Sequence, residues 1–110
     1  MKELLITDLD GTLLDSNGKL EIINQFISTG GAFTFATART ASSAVKITEK
    51  ININTPCVLM NGVSIYDIQK KKYIKNEYIN NGTAVTVAAI FKQCNIKPFM
   101  YKIKNNRLFA

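Results

Sequence analysis

Two aspartates two residues apart, Asp8 and Asp10, follow directly on the apolar run Leu4-Leu5-Ile6 and are themselves followed by Gly11. A run that short and that apolar has the length of a strand buried on both faces, as in a parallel sheet. The carboxyl ends of such strands are where open α/β sheets bind ligands. If extended backbone continues through Asp10, residues i and i+2 point to the same side and both carboxylates face one ligand. Such a pair can hold a hard cation such as Mg2+, or divide the work of nucleophile and general acid. Gly11 allows a sharp turn that brings backbone amides near an anion. The plainer alternative is that the aspartates cap a loop and solubilise the end of a strand.

The elements needed to position this pair are legible as an alternation. After the turn signals at Gly11 and Asp15-Ser16-Asn17-Gly18, Ile22, Ile23, Phe26 and Ile27 line one face of a helix that Gly30-Gly31 ends. Ala32 to Ala36 reads as a second buried strand, and Thr40 to Lys50 as a second helix with Thr40 as N-cap. Pro56 opens a third apolar run, Cys57 to Met60, which stops at Asn61-Gly62. Strand, helix, strand, helix, strand is the sequence form of βαβ units, whose crossovers give a helix-covered parallel sheet. The pattern then switches to period two at Val63 to Asp67. A lysine-rich turn and a further extended run, Tyr73-Ile74-Lys75, complete an expected antiparallel hairpin. Val87, Ile90, Phe91 and Cys94 mark a last helix starting near Asn81-Gly82-Thr83, and Phe99-Met100-Tyr101 and Leu108-Phe109 read as strands. A domain boundary is expected between Tyr78 and Asn81.

Bulk properties narrow the chemistry. With 46% hydrophobic and 20% charged residues in 110, the composition is that of a folded globular chain able to bury a modest core. No apolar stretch approaches the roughly 20 residues of a membrane helix, and no signal-peptide pattern opens the chain, so a cytoplasmic location without membrane contact is expected. Histidine is absent, which excludes a Ser-His or Cys-His nucleophile pair within these residues. Cys57 and Cys94 fit no metal spacing and read as small core hydrophobes. The net charge of +6 is concentrated in the second half. It suits an acidic ligand, whether a nucleic acid or a phosphorylated metabolite, or a merely solvated hairpin and helix face. No aromatic-basic recognition motif accompanies it, and nucleic-acid binding ranks last.

The segment Asp8-Leu9-Asp10-Gly11-Thr12-Leu13-Leu14 resembles the first motif of the haloacid dehalogenase-like (HAD) superfamily, DxDGT followed by two apolar residues. Ala36-Thr37-Ala38-Arg39 is similar to that superfamily's second motif, often A-T-G-R in the sugar-phosphatase branch called Cof-type. Asn61-Gly62-Val63-Ser64-Ile65-Tyr66-Asp67 resembles the branch's N-G-A-x-I-Y-D segment. The resemblance covers about residues 1–70. It implies an α/β chain: the N-terminal half of a Rossmann-like, parallel-sheet HAD core over residues 1–78, then the incomplete beginning of an α/β cap domain over residues 79–110. It also implies Mg2+-dependent hydrolysis of a small phosphorylated metabolite such as a sugar phosphate. Asp8 would be the nucleophile that becomes an aspartyl-phosphate, and Asp10 the general acid and then base. The Asp8 carboxylate and the Asp10 carbonyl would bind Mg2+.

By the same resemblance Thr37, Ala38, Gly11 and Arg39 would surround the phosphoryl group, with Asn61 and Gly62 on the substrate side. A capping role for Thr37, an ion pair for Arg39 and a turn role for Asn61 are the structural alternatives. Ala38 stands where the branch usually has glycine, so a left-handed backbone there would be strained. The superfamily's later motifs, a phosphate-neutralising lysine and an acidic pair for Mg2+, fall beyond the cap and are not matched here. Little or no turnover is therefore expected of these 110 residues alone. Truncation is the economical explanation, and homo-oligomerisation through an exposed sheet edge is a second. A rival of another class is a receiver-like module that binds phosphate or metal at Asp8 without turnover.

Overall fold

The computed structural model describes residues 3–13 and 20–110, apart from the side chain of Thr12. The expected turn at Asp15 to Gly18 lies outside the described residues. The chain divides into two compact units, Met1–Asn76 and Glu77–Ala110.

The first unit is built on a five-stranded sheet. Its strands are β1 (Leu4–Asp8), β2 (Ala32–Ala36), β3 (Cys57–Leu59), β4 (Ser64–Asp67) and β5 (Lys72–Asn76), in that spatial order. β1, β2 and β3 run parallel, and β4 and β5 return antiparallel to β3 and to each other. The helices α1 (Leu20–Ser28) and α2 (Ala41–Ile47) are the two crossovers. The register sets Asp8 beside Ala36 and Ala36 beside Val58, so the three parallel strands end level with one another.

Side-chain chemistry explains the element ends. α1 closes where Gly31 N–H donates to the Phe26 carbonyl and Gly30 N–H to that of Ile27, both at 3.1 Å. These are the two bonds of a Schellman turn, and Gly30 supplies the left-handed residue it requires at φ 102°. α2 ends at Ile47, short of the expected Lys50, because Thr48 turns its hydroxyl back to the Ala44 carbonyl at 2.7 Å and caps the last turn. Thr40 precedes α2 as expected, but its side chain makes no capping bond.

β2 is covered on both faces. Phe33 and Phe35 on one side and Thr34 on the other are buried, and the Thr34 hydroxyl donates to the Pro56 carbonyl at 3.0 Å. Around β2 the core gathers Leu9, Leu13, Ala41, Ala44, Ile51, Ile53, Cys57 and Leu59, with Ile23, Phe26 and Ile27 of α1 packed against it. β1 departs from expectation. Leu4, Leu5 and Ile6 are about half exposed, because β1 is an edge strand whose other side pairs with nothing among the described residues. An apolar run signals burial but not which neighbour supplies it.

The second unit holds α3 (Asn81–Gln93) and a two-stranded ribbon, β6 (Lys102–Lys104) with β7 (Arg107–Phe109). Asn80 caps α3, its side chain accepting the Thr83 N–H at 2.7 Å. Phe99 to Tyr101, expected as a strand, lies just before β6 and outside it. The Phe99 and Tyr101 rings stack at 6.5 Å instead.

Candidate active site

The loops that leave the carboxyl ends of β1, β2 and β3 enclose an open cavity of about 540 Å3. Asp8 and Asp10 line it from the first loop, Ala36, Thr37 and Ala38 from the second, and Val58, Asn61 and Gly62 from the end of β3 and the turn after it. This is the edge at which parallel α/β sheets bind ligands. Six of the eight residues singled out from the sequence are brought together here. Gly11 and Arg39 stand outside the lining.

Asp8 ends β1 and is exposed, and one of its carboxylate oxygens accepts the Leu9 N–H at 2.9 Å. The chain then enters an irregular turn over Leu9–Leu13. The strand ends at Asp8, so the expected continuous extension through Asp10 is broken, yet Asp10 itself is extended (φ −74°, ψ 129°) and lines the cavity with Asp8; Gly11 takes φ 76°. That left-handed value is where glycine is favoured, so the turn follows Asp10 at once.

Thr37 is buried, and its hydroxyl accepts the Arg39 N–H at 3.2 Å. Its main chain is held on both sides, the N–H donating to the Val58 carbonyl at 2.9 Å and the carbonyl accepting the Asn61 N–H at 3.0 Å. Ala38 does not adopt the left-handed conformation, so alanine in place of glycine carries no strain. The left-handed residues lie across the cavity, where Met60 (φ 49°), Asn61 (φ 56°) and Gly62 (φ 97°) follow one another. Such a turn is costly for the two non-glycine residues. It is held by bonds to the second loop, with Met60 N–H donating to the Arg39 carbonyl at 3.1 Å beside the Asn61 to Thr37 bond.

Arg39 forms an ion pair. Its Nε and Nη2 donate to the two carboxylate oxygens of Asp10 at 2.9 and 2.7 Å, and its Nη1 donates to Ser43 Oγ at 2.7 Å. Chiefly through these hydrogen bonds, Arg39 holds the Asp10 carboxyl below the usual carboxylate range. Sequence reasoning missed Val58, Met60 and Ser43. Ser43 alone left a signal, since it lies four residues after Arg39 at the start of α2, a spacing at which side chains meet.

The donor set suits a hard cation. Asp8 and Asp10 contribute only oxygen, and Mg2+ is commonly held by one or two carboxylates with water filling the other positions. Among the described residues no three His, Cys, Asp or Glu side chains gather into a fuller cage.

Two carboxylates two residues apart and a buried threonine from the end of the next strand thus meet at one sheet edge. The family model for haloacid dehalogenase-like hydrolases matches residues 5–109. The chain belongs to that family. Two proteins of Buchnera aphidicola, each named "Putative phosphatase", are similar in sequence. The one from subsp. Schizaphis graminum is 32% identical over 81 residues, covering 69% of this chain and 30% of the relative. The one from subsp. Baizongia pistaciae is 34% identical over 76 residues, covering 64% and 28%.

Solved HAD structures share the fold. One from Bacteroides thetaiotaomicron, described among phosphatases of the HAD superfamily, superposes with a TM-score of 0.73 at 18% identity, over 86% of this chain and 37% of that one. A haloacid dehalogenase-like hydrolase from B. subtilis gives 0.70 at 26% identity, over 84% and 34%. The HAD chain described here therefore spans about three tenths of the length of its curated relatives. No described helix is long and apolar enough to cross a membrane.

Proposed function

We propose that the cavity at the ends of β1 to β3 is the phosphoryl-transfer site of a phosphomonoester hydrolase acting on a small phosphorylated metabolite, such as a sugar phosphate. The convergence of Asp8, Asp10 and Thr37 on one cavity carries this reading. Asp8 attacks phosphorus, the bond to the leaving oxygen breaks, and an aspartyl-phosphate forms on the Asp8 carboxylate. Asp10 gives a proton to the leaving oxygen and later takes one from the water that releases phosphate. Held by Arg39, Asp10 rests as a carboxylate, the form the second step needs; to serve the first step it must first take up a proton from solvent, which the ion pair opposes. The Thr37 oxygen accepts from Arg39 N–H, which leaves its own hydrogen for a phosphoryl oxygen. Ala38 closes the phosphate side, with Gly11 and Arg39 at its rim, and Asn61 and Gly62 face the rest of the substrate. Asp8 and the Asp10 carbonyl would hold Mg2+, which when bound offsets the repulsion between carboxylate and phosphate.

In this reading residues 1–78 are the first half of a HAD core in the Cof-type branch, and residues 79–110 begin its cap. The working location is the cytoplasm, with no nucleic-acid or membrane partner. Among the described residues the outer edge of β1 is unpaired, and in this reading it could take a further strand, such as one from a second copy. A receiver-like module is disfavoured by the HAD family match.

The test is hydrolysis of p-nitrophenyl phosphate by the 110-residue chain, with and without Mg2+, beside Asp8→Asn. Little or no turnover is expected, because the lysine and acidic pair of the later motifs are not among these residues. Turnover that needs both Mg2+ and Asp8 would show that another copy supplies those groups or that they are dispensable. A stable phosphoaspartate at Asp8 without product release would favour the receiver-like alternative.

A further inference from the structure

Arg39 stands where the three loops of the site cross. Its N–H donates to the Thr37 hydroxyl at 3.2 Å and its carbonyl accepts the Met60 N–H at 3.1 Å, so its main chain ties the second loop to the third. Its side chain reaches the first. Nε and Nη2 hold both oxygens of Asp10, and Nη1 is braced on Ser43 Oγ. Every guanidinium nitrogen thus has an acceptor, while Arg39 itself does not line the cavity that Asp10 lines. A two-pronged fork fixes both the distance and the plane of a carboxylate, which the single point of a lysine ammonium does not.

We propose that Arg39 is a positioning residue. Its guanidinium, braced by Ser43 on α2, sets where the Asp10 carboxylate stands at the cavity, and it is not itself a phosphate ligand. The meaning of this assignment rests on the hydrolase reading above, since it is the acid and base of that reaction that is being placed. The geometry it uses is independent of turnover.

The experiment is side-chain NMR on the whole 110-residue chain, whose only arginines are Arg39 and Arg107, so that Arg107→Lys assigns both Nε–H signals. The Arg39 Nε–H is expected to exchange with water about tenfold more slowly than that of Arg107, the scale of one charge-assisted hydrogen bond. Asp10→Ala should abolish the difference, and Ser43→Ala should reduce it. The spectroscopic signature of positioning lies in Asp10, whose side-chain carboxyl 13C resonance should move in both Arg39→Lys and Ser43→Ala while that of Asp8 stays. Inorganic phosphate should shift the Thr37 and Ala38 amides and leave the Arg39 Nε–H in place.

An Arg39 signal indifferent to Asp10→Ala would overturn the proposal. So would an Asp10 resonance unmoved by Arg39→Lys or by Ser43→Ala, or a saturable shift of the Arg39 signal by phosphate. Failure of the hydrolase reading shows differently. Phosphate would then leave the Thr37 and Ala38 amides unmoved, while the Arg39 and Asp10 signals behaved as described.

Discussion

Replacing Thr37 with valine tests whether one hydroxyl both supports the second loop and addresses phosphate. Thr37 is 5% exposed, and its hydroxyl accepts the Arg39 N–H at 3.2 Å. Valine fills nearly the same space but leaves that N–H without its acceptor. The distance is at the long end of the range, so the loss is taken at the low end for a partly buried group, about 1 kcal/mol. The two main-chain bonds of Thr37, to Val58 and Asn61, do not involve the side chain and should survive. Serine in the same place keeps the hydroxyl and removes one methyl, which costs about 0.8 kcal/mol. Both variants should therefore melt about 3–8 °C below wild type in thermal unfolding followed by circular dichroism, given the usual 4–8 °C per kcal/mol for a domain of this size. They should part in phosphate binding. The Ala38 amide should respond to inorganic phosphate in wild type and Thr37→Ser, and not in Thr37→Val. A Thr37→Val protein that melts with wild type and responds to phosphate as wild type does would refute both halves of the argument.

Three further outcomes follow from packing and burial. A Cβ at Gly31 would land within the ring of Phe26, so Gly31→Ala should destabilise by about 1–3 kcal/mol. Phe26→Leu should recover part of that loss, which a double-mutant cycle of thermal unfolding would measure. Cys57 is fully buried and Cys94 exposed, so a thiol reagent at neutral pH should label one cysteine in the native protein and two after denaturation. Burial, the larger cause, pushes the Cys57 thiol from 9.0 up to about 11. The folded state then holds this proton where the unfolded state has lost it, so its contribution to stability is full below pH 9.0 and disappears as pH rises through about 11. Alkaline melts of Cys57→Ala should lack that loss.

The parallel half of the sheet was legible because its apolar runs and helical stripes recur in strict alternation, and the hairpin because its period changes to two. Of the candidate site, Asp8 and Asp10 stood out because an apolar run ends at them, whereas Thr37 and Asn61 were named through the family resemblance of their segments. What escaped depended on contacts distant in sequence. Nothing in Leu4-Leu5-Ile6 tells whether a second strand will flank them, and among the described residues only β2 does. The strain expected at Ala38 sits at Met60 and Asn61, because bonds to Thr37 and Arg39, more than twenty positions away, impose it. The ends of the short elements moved through local competition, with Thr48 closing α2 early and the paired Phe99 and Tyr101 rings standing outside β6.

The left-handed run from Met60 to Gly62 has a wider consequence. β3 is only three residues long, and this run and Val63 are all that separate it from β4, which returns in the opposite direction. The place where the sheet changes from parallel to antiparallel is therefore also one wall of the cavity. Lengthening the turn, or relaxing it with residues that avoid positive φ, would move the hairpin and the Asn61 wall together. In a lineage that reshapes its pocket, this corner can vary in side chain but scarcely in length.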